Sequence, residues 1–188
     1  MITRGMRPSE SKPPPPLTGL DRRRAILRQK HEREMQRLEP GVMRQCTQAE
    51  RRLESDVATE RQVAATTLGT IRDIESYKPL LLAMIRESEP GYEDRDVKVA
   101  ILKALENIGE DHNSKSTLNA GREPLNRFMM AHLADAGLVE RALNALKWTD
   151  SVEETSADAS RIGNAAEAAG YPRSATAATS FYLDINNR

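Results

Sequence analysis

The chain has 188 residues, of which 38% are hydrophobic, 4% aromatic and 30% charged. This length suits one domain with tails, and the scarcity of aromatic residues argues against an all-β sandwich and favours an all-α fold with a thin aliphatic core. The net charge of zero hides an asymmetry: residues 1–37 carry ten basic and four acidic side chains, a net of +6, and residues 38–188 carry eighteen and twenty-four, a net of −6.

Cysteine content and the N-terminal sequence bear on the cellular compartment. The single cysteine, Cys46, excludes an intramolecular disulfide and a cysteine-based metal cluster. The first sixteen residues, "MITRGMRPSESKPPPP", lack the apolar core of a signal peptide, and no apolar run approaches the length of about 18 residues that a membrane span needs. We therefore expect a cytoplasmic protein with no transmembrane segment, and export through a disordered N-terminus stays open.

The N-terminal region is predicted to have two parts. Residues 1–19 are rich in proline, serine and charge, cannot bury enough apolar surface to order, and are interpreted as a disordered Pro-rich arm. Residues 20–38 are interpreted as a charged, basic helix with Asp21 as its N-cap. The sequence "EPG" at 39–41 ends that helix, because proline cannot continue it.

Residues 42–148 are predicted to form a helical core domain. Apolar residues recur at intervals of three and four from Val42 to Val57, and the pattern can continue to Ile74 as one helix of residues 42–75 or break near Ser55. Further helices are predicted to begin near Pro79, over 96–111 with Gly109 as terminator, from Pro124 to Gly137, and over 138–148. Residues 112–121 are interpreted as a polar loop.

The C-terminal region has a different composition. Residues 149–188 are rich in alanine and contain few large apolar residues. We interpret residues 157–169 as a helix capped by Ser156, followed by a loose C-terminal tail.

Two segments of the chain repeat each other at a shift of 37 residues. Ala64, Leu68, Ile71 and Asp73 correspond to Ile101, Leu105, Ile108 and Glu110. A period of this length is typical of stacked helical hairpins, in which one hairpin buries the apolar face of the next.

Residues 57–110 resemble HEAT-type helical repeats. The second helix of one repeat would contain Arg61, Ala64, Ala65, Leu68, Gly69, Ile71 and Asp73. The first helix of the next would contain Pro79, Leu80, Leu82 and Ile85, and its second helix Asp96, Val97, Lys98, Ala100, Ala104, Leu105, Ile108 and Gly109. The resemblance implies a short HEAT-like stack of antiparallel helix pairs, and an ordinary helical bundle is the alternative.

No catalytic or metal-binding motif is recognisable in the sequence. The three histidines, His31, His112 and His132, are isolated from one another, and Cys46 lies on an apolar stripe as a buried residue would. No phosphate-binding glycine loop or nucleophile elbow is present. We therefore expect no enzymatic activity and no cofactor.

The function expected from these features is a non-enzymatic protein–protein interaction module of the adaptor, regulator, chaperone or effector type. It would meet a protein partner through polar positions of its helices, including exposed Lys98 and Lys103, and self-association stays open. The alternative is nucleic-acid binding by the basic segment 22–30, where phosphates would contact Arg22, Arg23, Arg24, Arg28 and Lys30.

Overall fold

The computed structural model describes residues 39–112, 115–149 and 151–187, and these residues contain helices and no strand. The all-α prediction is therefore confirmed for this part of the chain. The helices are α1 Pro40–Arg52, α2 Ala58–Ile71, α3 Tyr77–Arg86, α4 Arg95–His112, α5 Arg122–Ala131, α6 Ala136–Leu146, α7 Val152–Ala168 and α8 Pro172–Asn186, with shorter turns at Ile74–Ser76, Lys115–Leu118 and Asn119–Gly121. The predicted arm and basic helix, residues 1–38, lie outside the described residues.

The helices pack as successive pairs, α1 with α2, α3 with α4, α5 with α6, and α7 with α8. The second helices of these pairs also pack on one another in the order α2, α4, α6, α8, and the first helices in the order α3, α5, α7. Short connections make paired helices antiparallel. The result is a row of helical hairpins in two layers, and membership of the HEAT family stays a prediction.

A continuous apolar core runs through all eight helices. The repeated residues of the sequence contribute to it directly: Leu68 of α2 and Ile101, Leu105 and Ile108 of α4 are fully buried. Gly69 lies at the contact between these two helices, where an added Cβ would come within 2.8 Å of Ala104 Cα. The 37-residue repeat therefore reflects two helices that lie side by side.

Residues 42–75 contain two helices rather than one long helix. Helix α1 ends at Arg52 and α2 begins at Ala58. Ser55 stabilises the break, since its hydroxyl accepts from the Val57 amide at 3.1 Å and donates to Glu60 at 2.7 Å. Ser55 thus supports the start of α2 from two residues before the N-cap, which is Val57.

Three predicted helix ends are wrong. Gly109 lies inside α4, where it makes room for Trp148, and Gly137 lies in the first turn of α6 rather than at the end of a helix. The N-cap of α7 is Ser151, which accepts from the Glu154 amide, and not Ser156. In the predicted loop 112–121, helical turns bury Leu118.

The predicted loose C-terminal tail is also wrong. Residues 172–186 form α8, which packs on α6 and α7 and buries Ala178 and Ile185. The Ser174 hydroxyl donates to the Leu133 carbonyl at 2.6 Å. Residues 149–187 therefore belong to the same unit as residues 42–148, with no domain boundary between them. Small side chains make most of these contacts, so the sequence of α8 shows only a weak apolar period.

Within the ranges described, no helix combines the length and the apolar character needed to cross a bilayer.

Candidate functional site

Helix α3 carries two large apolar side chains that face solvent. Leu82 is 58% exposed and Ile85 is 47% exposed, whereas Leu80 and Met84 are fully buried. The cause lies in the sequence, because residues 80–85 are six consecutive apolar residues, "LLLAMI", and a helix cannot turn all of them towards one core. A groove lies on either side of this ridge, and we call the ridge and both grooves the α3 face.

The first groove lies between α3 and α5 and has a volume of about 310 Å³. Its apolar walls come from Met84, Ile85, Pro124, Phe128 and Ala131, with Ser88, Glu123 and Arg127 completing the lining. Glu123 and Arg127 form an exposed ion pair at 2.8 Å on the rim. The groove can accept apolar side chains. The ion pair on its rim stays solvated when they bind, so binding there does not require these charges to lose their water.

The second groove lies between α1 and α3 and has a volume of about 690 Å³. Its lining is Thr47, Glu50, Arg51, Leu53, Glu54, Pro79, Leu82, Ala83 and Arg86. Charges of both signs therefore accompany apolar side chains in this groove, and Leu82 lines it as Ile85 lines the first. Arg86 is held by Tyr92, to whose hydroxyl it donates at 2.7 Å.

A buried ion pair fixes the C-terminal end of α3. Arg61 of α2 donates from Nε to Glu87 at 2.5 Å, and the two side chains are 4% and 1% exposed. The same guanidinium donates to the carbonyls of Ser55 and Asp56 at 3.0 and 3.1 Å. The α1–α2 connection, α2 and the end of α3 are thus joined by one side chain.

His132, the C-cap of α5, contacts Phe128 of the first groove. Its ring stacks on Phe128 with centroids 4.1 Å apart and an interplanar angle of 21°. Nδ1 lies 2.8 Å from the Phe128 carbonyl, so it donates, and Nε2 accepts from Lys98 Nζ at 3.0 Å. Only the bond from Lys98 requires the neutral imidazole, because Nδ1–H can donate to the Phe128 carbonyl in either protonation state.

Burial is the main reason that the pKa of His132 lies below 6.5, with the Lys98 charge acting in the same direction. A histidine with a lowered pKa in the folded state takes up its proton first in the unfolded state. We therefore expect the free energy of unfolding to fall as the pH drops below about 6.5, down to the pKa of the folded state. Urea unfolding of the wild type and of His132→Gln across this range measures it, and the variant should lose part of the slope.

The site residues predicted from the sequence lie in different places. Arg22, Arg23, Arg24, Arg28 and Lys30 lie outside the described residues. Lys103 is exposed, as expected, but Lys98 is only 6% exposed, so the expectation of an exposed Lys98 is wrong. Lys98 points towards α5, where the stem is covered and the ammonium contacts His132. The two lysines therefore do not share a surface.

The apolar pair Leu82 and Ile85 was not recognised as a site from the sequence. The HEAT-type resemblance places both residues in the first helix of a repeat, and the partner is expected to meet polar positions. The signal available was the uninterrupted apolar run itself, which is longer than one face of a helix requires.

The other candidate features of the described residues are the cysteine and the potential metal ligands. Cys46 is buried, and no three His, Cys, Asp or Glu side chains of the described residues are placed to hold a metal ion. Comparisons of the chain with protein-family models, with curated proteins and with solved structures gave no match. The geometry of the α3 face is therefore the main guide to function.

Proposed function

We propose that this protein is a non-enzymatic helical interaction module that binds an amphipathic segment of a protein partner on the α3 face. The observation that carries the proposal is the exposed pair Leu82 and Ile85, each bordering its own groove. Burying an exposed leucine or isoleucine stabilises a complex by about 25 cal/mol per Å² of apolar surface. Isolated exposed apolar residues are ordinary, but a ridge between two grooves is the geometry that a helix-in-groove contact uses.

The row of hairpins supports this proposal, because it holds the α3 face rigidly. Helix α3 packs on α4 and α5, and the Arg61–Glu87 pair ties its end to α2. A preformed surface loses little conformational entropy on binding. A partner segment with apolar residues at helical spacing would place these residues in the two grooves. Charged residues of the same segment would then lie near Glu50, Arg51 and Arg127.

A displayed peptide library selected on the immobilised chain tests the proposal. We expect recovered peptides to carry apolar residues spaced by three and four, and their affinity to fall about thirtyfold or more in the double variant Leu82→Glu, Ile85→Glu, since hot-spot residues contribute about 2 kcal/mol or more. The matched control is Val63→Glu on α2, because Val63 is 53% exposed and lies outside the α3 face.

A failure to recover any peptide would contradict the proposal, and so would either of two further results. One is equal binding of the selected peptides to the wild type and the double variant. The other is concentration-dependent dimer formation in light scattering that the double variant removes, which would assign the face to a second copy of this chain.

A further inference from the structure

One residue that lines the first groove is in contact with an ionisable side chain, His132, which is itself paired with Lys98. Phe128 lines the groove, and the His132 ring stacks on Phe128. His132 also closes α5 as its C-cap, and its Nδ1 donates to the Phe128 carbonyl. A movement of this imidazole therefore changes the packing of a residue that lines the groove.

Lys98 makes the position of the imidazole sensitive to protonation. An ammonium group only donates, so the contact of 3.0 Å between Lys98 Nζ and His132 Nε2 exists only while Nε2 carries a lone pair. Protonation places an N–H and a positive charge against a lysine that is 6% exposed. Like charges at this distance and burial repel strongly, and one of the two side chains has to move.

The carboxylate of Asp135 offsets only part of this repulsion. Asp135, in the connection between α5 and α6, favours the charged imidazole, but Arg95 of α4 already engages both of its carboxylate oxygens, at 2.6 and 3.2 Å. Oδ1 of Asp135 also accepts from the backbone amides of Gly137 and Leu138. The carboxylate is thus fixed by other donors.

We infer that protonation of His132 changes the shape of the α3–α5 groove, so that a segment bound there at neutral pH is released on mild acidification. The release of a bound segment rests on the proposed function, whereas the change in the shape of the α3–α5 groove is a property of the free protein. By linkage, a segment that prefers the neutral state must in turn make His132 harder to protonate.

Nuclear magnetic resonance on the full chain tests the inference without any ligand. Ile85 lines the groove, so its δ1 methyl reports on groove shape, and an Ile85→Val variant assigns it. We expect the Ile85 methyl shift to titrate with the same midpoint as the His132 ring. In His132→Gln that titration should vanish. In Lys98→Met the shared midpoint should move to higher pH, because a positive neighbour is removed.

His112→Gln is the matched control. His112 is half-buried at the end of α4 and contacts the Arg72 carbonyl at 2.8 Å, away from the groove. This variant should leave the Ile85 titration unchanged. An Ile85 methyl shift that stays constant while His132 titrates would overturn the inference, as would an Ile85 titration that persists in His132→Gln. If His132→Gln fails to fold, the Lys98→Met midpoint decides.

A second measurement separates this inference from the proposed function. A peptide selected on the wild type should bind about fivefold or more weakly at about pH 5.5 than at about pH 7.5, and equally at both in His132→Gln. Peptide binding that does not vary with pH would overturn the release and leave the docking proposal standing. A failure to select any peptide would contradict the docking proposal, while the Ile85 titration would still test the change of shape.

Discussion

Replacing Glu87 with alanine is expected to lower the free energy of unfolding by about 3–5 kcal/mol, the usual cost of removing one partner of a buried ion pair. Glu87 is 1% exposed, and its partner Arg61 is 4% exposed. Without the carboxylate, a buried guanidinium keeps only the carbonyls of Ser55 and Asp56 as acceptors. Urea unfolding followed by circular dichroism measures the change.

Two further variants make the Glu87 prediction specific. Glu89→Ala removes an exposed carboxylate from the same segment and should change stability by no more than about 0.5 kcal/mol. The double variant Arg61→Met, Glu87→Leu replaces the pair by apolar side chains and should recover most of the loss. Equal stability of Glu87→Ala and Glu89→Ala would show that the pair contributes little.

The second large effect is expected at Gly69, where α2 contacts α4. A Cβ added there would lie 2.8 Å from both Cα and Cβ of Ala104, so the two helices have to separate. Overpacking of this kind costs about 1–3 kcal/mol, and it exceeds the gain of at most about 1 kcal/mol that alanine brings to a helix. We therefore expect Gly69→Ala to be destabilised in thermal and urea unfolding.

Gly163 provides the matched control for Gly69. It also lies inside a helix, α7, but a Cβ added there would meet Ala178 Cβ at 3.4 Å, an ordinary contact distance. Gly163→Ala should be as stable as the wild type or more stable by up to about 1 kcal/mol. If Gly69→Ala behaves like Gly163→Ala, the spacing of α2 and α4 is wider than described.

Local sequence patterns are reliable where large apolar residues recur. The helix predicted over 96–111 is observed as Arg95–His112, and its periodic residues Val97, Ile101, Leu105 and Ile108 are all fully buried. The same holds for Leu68, the residue that matches Leu105 in the repeat. Helical periodicity identifies these residues because the face that a helix buries is set by spacing within the helix.

Patterns failed where the buried side chains are small. Helix α8 buries Ser174 and Ala178, which give almost no contrast with exposed alanine, serine and threonine in the same helix. Ser156, the cap predicted from the sequence, lies inside α7, and only the helix that forms shows which amide is left to be satisfied. The C-terminal hairpin was therefore underestimated.

The sequence by itself determined the all-α class, most helices of the core and the apolar excess of residues 80–85. Only the tertiary structure decided that Leu82 and Ile85 are the exposed part of that excess, and that Lys98 is buried against His132. Spacing along the chain fixes which residues share one face of a helix. Which face is covered depends on the helices that pack against it, such as α4 and α5 on α3, and those contacts join residues far apart in the chain.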